Sequence, residues 1–190
     1  AGAIAASGAN IVDARIFTTT DGVAVDSFRV QEGPYDSPGA AFADPDRLAL
    51  LEATVGRSVA DEIDPGDLLR GRRTLPVRAG VFQVAPRVLI DDRASATHTV
   101  IEVNGRDRPG LLYDLTRALA DEKLQISSAK ISTYGERVVD VFYVKDAFGL
   151  KVTHPAKLEQ VRTALLAALA EPAQGAEETA AVRPLVAATP

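Results

Sequence analysis

The chain contains no cysteine, no methionine and no tryptophan, and only two histidines. Without cysteine there can be no disulfide, thiolate nucleophile or thiolate metal site, which fits a reducing cytoplasm. His98 and His154 fall in different predicted elements and form no metal-ligand spacing with acidic neighbours. No apolar run approaches the roughly 20 residues needed to span a bilayer, so no membrane partner is expected. Nor is there an excess of positive charge. Twenty-one basic side chains against 26 acidic ones leave a net charge of −5, with no general attraction to nucleic acid or anionic lipid. Methionine is missing even at position 1, so the sequence is expected to be a piece of a longer protein.

What is present is ordinary for a folded protein: 190 residues, 46% hydrophobic and 25% charged, enough for one or two domains with a core. An internal repeat organises it. "ANIVDARIFTT" (9–19) matches "LQISSAKISTY" (124–134), with Ile11, Ala14, Ile16 and Thr18 answering to Ile126, Ala129, Ile131 and Thr133. After the turn, Asp26, Phe28 and Val30 answer to Asp140, Phe142 and Val144, and Pro45 and Pro155 each open a helix further on.

The second copy can be read element by element. "HTVIEVN" (98–104) is β-branched and predicts a strand. From Pro109 to Lys123, Leu111, Leu112, Leu115 and Leu119 recur on one helical face. Two strands follow at about 126–134 and 137–145, and a helix from Pro155 aligns Leu158, Val161, Leu165 and Leu169. The order β-α-β-β-α needs one more strand to become the ferredoxin-like split βαβ module.

The fold class expected is therefore α+β, with tandem βαββαβ modules of which the first is truncated at its N-terminus. Residues 1–92 are assigned to the first module, with "PRVLID" (86–91) as its candidate closing strand after a basic, loop-like stretch around "LLRGRRTLPVRAG". Residues 93–170 form the second module, and 171–190 a disordered tail poor in large apolar groups. On the third strand of copy two, Val139, Val141 and Tyr143 make the second face apolar as well, whereas copy one has Ser27 and Arg29 there. A sheet buried on one side should alternate, so this face is expected to pack against another domain or subunit.

Motifs for catalysis come up empty: no G-x-S-x-G and no phosphate-cradling glycine loop. "DPD" (44–46) reads as an N-cap, a first-turn proline and a dipole-favoured aspartate. The βαββαβ order is shared with RNA-binding modules, which stack bases on central-strand aromatics. Phe142 and Tyr143 are adjacent and face opposite sides, and the chain is acidic, so no nucleic-acid partner is expected.

One junction stands apart, "NGRDRPG" (104–110), between a strand and a helix. In the plain reading Asp107 or Arg108 caps the helix, Pro109 sits in its first turn and Gly110 permits close packing. Such a junction also presents backbone N–H groups at the positive end of a helix dipole. They suit an amino acid's carboxylate, while Asp107 could accept from its ammonium group.

At this loop the sequence resembles a known family. "DRPGLL" after a strand, then "LQISSAKIST", is similar to the ACT domain, a small amino-acid-binding regulatory module. The longer string 99–152, with the first copy and the basic linker, resembles the C-terminal tandem ACT region of bacterial PII uridylyltransferase/uridylyl-removing enzymes. That resemblance implies a glutamine-responsive regulatory region of a nucleotidyltransferase that also hydrolyses uridylyl groups from the PII signalling protein. The parent chemistry would use Mg2+, with no cofactor and no catalytic residue in this segment. Ligand contacts would come from Asn104, Gly105, Arg106, Asp107, Arg108, Pro109, Gly110, Leu111 and Leu112. Gln125 and Asn10, at the start of the second strand in each copy, would add an amide. Pairing between ACT copies or a homodimer is the expected assembly. Two rival readings remain at this stage: an ACT pair from another amino-acid-controlled enzyme, and a non-catalytic dimerisation module.

Overall fold

The computed structural model describes residues 1–32, 41–70, 84–135 and 137–170. In chain order the elements are α1 (Gly2–Ala6), β1 (Asn10–Thr18), β2 (Ala24–Gln31), α2 (Pro45–Val59) and α3 (Pro65–Arg70). They continue with β3 (Arg87–Asp91), β4 (Thr99–Arg106), α4 (Leu111–Asp121), β5 (Leu124–Tyr134), β6 (Arg137–Asp146) and α5 (Pro155–Leu169). The six strands form one antiparallel sheet in the order β2-β1-β5-β6-β4-β3. The α+β, ferredoxin-like reading is borne out.

The two copies meet edge to edge through β1 and β5, which pair from Asp13↔Ser132 to Phe17↔Ser128. Helices cover one face. Leu111, Leu115 and Leu119 recur every four residues along α4, and Val161, Leu165 and Leu169 do the same along α5. All are buried with Ile101, Val103, Phe142 and Val144 in one core that extends to Ala14 of copy one. Each such leucine contributes about 1.5–3 kcal/mol by leaving water. Copy one is thinner. No residue of α2 is fully buried, and Leu48, Leu51 and Val55 rest half-buried on a small cluster of Ile4, Ala9 and Phe42.

Asp44 caps α2 as expected, its Oδ1 accepting from the N–H groups of Asp46 and Arg47 at 3.0 Å each. Pro45 and Pro155 stand in the first turns of α2 and α5, and His154 takes the N-cap position without a side-chain bond. The stretch expected to be loop-like begins instead inside the last turn of a short helix, α3, whose Gly66 lies against Tyr113 of α4. The remaining basic residues and the expected tail at 171–190 fall outside the described residues.

One expectation is corrected. The strand assigned to close the first copy, β3, pairs with β4 of the second, from Arg87↔Asn104 to Asp91↔Val100. The short link between them makes this pairing local, and Asp91 turns the chain by accepting from the N–H groups of Arg93 and Ala94. A closing strand in this fold pairs with the opening strand of its module, and β4 is the opening strand present among the described residues.

Candidate functional site

β4 runs out at Arg106, and the next helical residue is Leu111. Gly110 takes the N-cap with φ +78°, a left-handed conformation that only glycine adopts without strain. Neither Asp107 nor Arg108 caps the helix, and Pro109 stands before its first turn; the loop is instead closed by the Leu111 N–H donating to Arg108 O at 3.1 Å. The side chains of Leu111 and Leu112 are buried in the core, so only their backbone can face a ligand.

Two contacts seat the loop against α5. A Cβ on Gly105 would come within 2.7 Å of Leu169 Cδ2, so glycine there lets the helix end settle on the strand. Arg108 is 11% exposed; its Nη2 donates to Ala168 O at 2.7 Å and pairs with Asp114 Oδ2 at 2.7 Å. Nε and Nη1 of the same guanidinium are buried without a hydrogen-bond partner. Its planar fork thus clamps the junction to the carbonyl end of α5, where cations are favoured. Beside it an open groove of about 300 Å³ runs between α4 and α5, walled by Arg108, Asp114, Arg117 and Asp121.

Asp107 points inward, and its Oδ2 is shut off from solvent with no partner. Burial pushes its carboxyl up to about 8, against the opposing Arg108 N–H and with help from the negative charge of Asp140. Asp140 is 1% exposed on the helix-facing side of β6. Burial pushes it up to about 7, partly offset by the Ser132 N–H that donates to its Oδ1 at 3.3 Å. Two acids thus share an apolar enclosure under the loop. Sequence reasoning left Asp140 out of the site, although an aspartate inside the run "VVDVFYV" was a visible signal.

The other expected contacts separate. Asn104 is buried but tied on the far side of the sheet, donating to Glu102 Oε1 at 2.7 Å and accepting from Arg137 Nη2 at 3.1 Å. Gln125 is exposed and pairs with Lys145, whereas Arg106 pairs with Arg137. Gln125 and the loop therefore lie at opposite ends of β6. Asn10, from copy one, lies at the loop's end: β1 pairs antiparallel with β5, so Asn10 extends beyond Asp13↔Ser132 toward Tyr134. It is 3% exposed, and its Oδ1 has no partner. The copies are further joined at Tyr113, two residues into α4, whose ring would be struck by a Cβ on Gly2 and whose hydroxyl donates to Asp64 Oδ1 at 3.3 Å.

Among the described residues no group of three or more histidine, cysteine, aspartate or glutamate side chains could hold a metal ion. No helix among these residues is long and apolar enough to cross a membrane.

Residues 87–175, which hold the strand–helix junction and its glycines, match the family described as "ACR9-like, ACT-like domain". Over nearly the whole chain the similarity is more particular. It is 60% identical across 90% of its length to the bifunctional uridylyltransferase/uridylyl-removing enzyme of Azospirillum brasilense. Identity is 52% to the enzyme of that name from Rhodospirillum rubrum and 50% to that from Gluconobacter oxydans, over 90% and 89% of the chain. The chain spans 18% of the length of each of these relatives.

Proposed function

We propose that this chain is the regulatory ACT region of a cytoplasmic bifunctional uridylyltransferase/uridylyl-removing enzyme, and that it senses L-glutamine for control of the PII protein. The observation that carries the reading is the buried, unpartnered Oδ2 of Asp107 at the β4–α4 junction. A carboxylate buried there with its Oδ2 unpartnered is costly even beside the Arg108 charge, and an arriving ammonium group offsets that cost. The Leu111 N–H is taken by Arg108 O, and the next N–H groups in the first turn of α4, those of Leu112 and Tyr113, would take the ligand's carboxylate. Asn10 brings an amide from the other copy to the same end of the sheet, where it would read a side-chain amide.

This chain contributes binding, while uridylyl transfer and removal, with their Mg2+, belong to the rest of the enzyme. Regulation follows if glutamine prefers one arrangement of the copies. Tyr113 gives a route: the helix that begins at the ligand loop carries the ring wedged against α1 and α3. Calorimetric titration with L-glutamine, using glutamate and asparagine as controls, tests the reading. Glutamine-selective heat that Asp107→Ala abolishes is expected. Absence of glutamine binding both in this chain and in the whole enzyme would refute it.

A further inference from the structure

The face of the sheet opposite the helices carries more apolar surface than a solvated face needs. Phe17 is 47% exposed, Val25 43%, Leu89 37% and Tyr143 36%. Half-buried Val100, Val139 and Val141 lie on the same face, because directly paired residues share a side of the sheet. The strand register resolves it into rows. The middle one reads Leu89, Glu102, Val141, Lys130, Arg15, Ser27 from β3 to β2. On one side of it lies Asp91, Val100, Tyr143, Ser128, Phe17, Val25.

Along β6 the face is an apolar column of Val139, Val141 and Tyr143, flanked by a negative charge on β4 and a positive one on β5. The geometry points to a second copy of this chain as the occupant, packed face to face about a two-fold axis running along β6. That operation lays β4 over the partner's β5 and β3 over the partner's β1. Glu102 then meets Lys130 of the partner subunit. Asp13 on β1 and Arg87 on β3 face the partner's opposite charges in the third row, since Asp13 pairs with Arg29 and Ser132, and Arg87 with Asn104. Val141 and Tyr143 meet their own copies at the centre, while at the margins Leu89 lies over Arg15 of the partner subunit and Phe17 over Asp91 of the partner subunit.

Turning the axis across the strands would set Glu102 against itself, so the charge pattern selects one arrangement. Arg137 and Lys145 extend the β6 column at its two ends. The crossing of about 30° usual for stacked sheets carries those ends off one another while keeping the central row in register. Five opposed strands of about six residues measure roughly 24 Å by 20 Å. That is on the order of 500 Å² in projection on each copy, near the lower end for a stable dimer.

Sedimentation velocity on the whole 190-residue chain over a concentration series tests this. A monomer–dimer equilibrium is expected, abolished by Val141→Asp. Glu102→Lys and Lys130→Glu should each raise the dimer dissociation constant at least tenfold, and the double reversal Glu102→Lys/Lys130→Glu should bring it back. Circular dichroism of each variant checks that the fold is kept. A chain that stays monomeric at its highest soluble concentration, with its face left to another part of a longer protein, overturns the proposal. So does a dimer indifferent to Val141→Asp, or one that the double reversal fails to restore.

Discussion

Asp107 and Asp140 come from different elements, the loop after β4 and the middle of β6, and each carboxyl is buried close enough to the other for the charge of Asp140 to raise Asp107. Their ordinary value is 3.8, and in the folded chain they sit at about 8 and about 7. Well below pH 4 both folded and unfolded chains are protonated there and the pair is neutral to stability. As pH rises the unfolded chain ionises first, so the folded chain holds more protons and stability falls until the folded groups titrate near pH 7–8.

Asp140→Asn should therefore stabilise the ligand-free chain at pH 8, by on the order of a few kcal/mol, and leave it little changed at pH 4. Urea unfolding at the two pH values measures this. Equal effects at both would show that Asp140 is not ionised at the expense of the fold.

Ligand binding should be linked to protons. If an ammonium group pairs with Asp107, the carboxyl must ionise, so affinity rises from pH 6 to pH 8 and protons are released on binding. Titrations in buffers of different ionisation heat count the released protons. A count near zero at pH 6.5 would remove Asp107 from the ammonium contact.

Gly105 lies directly beneath Leu169. Gly105→Ala must push the buried Leu169 side chain or the end of α5 aside, at a cost of about 1–3 kcal/mol. Thermal unfolding would show it, and an unchanged midpoint would mean that α5 yields freely.

Arg108 holds the junction to Ala168 and Asp114. Arg108→Ala should cost about 1.5–3 kcal/mol and speed amide exchange in the last turn of α5, with Arg108→Lys recovering only part. Exchange unchanged in that turn would show that the clamp does not hold the helix end.

Much of this architecture was legible from local pattern. The four-residue spacing of Leu111, Leu115 and Leu119 predicted α4, the "DPD" cap opened α2, and the repeat placed β1 with β5 as equivalents. The registry of those elements was not legible. That β3 would join β4 followed from which strand edges were available, and that Asn10 would share an end of the sheet with the loop, while Gln125 would not, followed from the antiparallel pairing of the copies. Residues such as Asn104 and Leu112 lie inside the motif in sequence, yet their side chains go to the far face and to the core.

The sequence by itself determined the element types, the two copies and the glycine-bearing junction, because periodicity, caps and turn chemistry act over a few residues. Tertiary structure alone decided which acids are buried together. Desolvation depends on what packs over a carboxyl from distant parts of the chain: the core around β6 encloses Asp140, while its counterpart Asp26 in copy one is exposed.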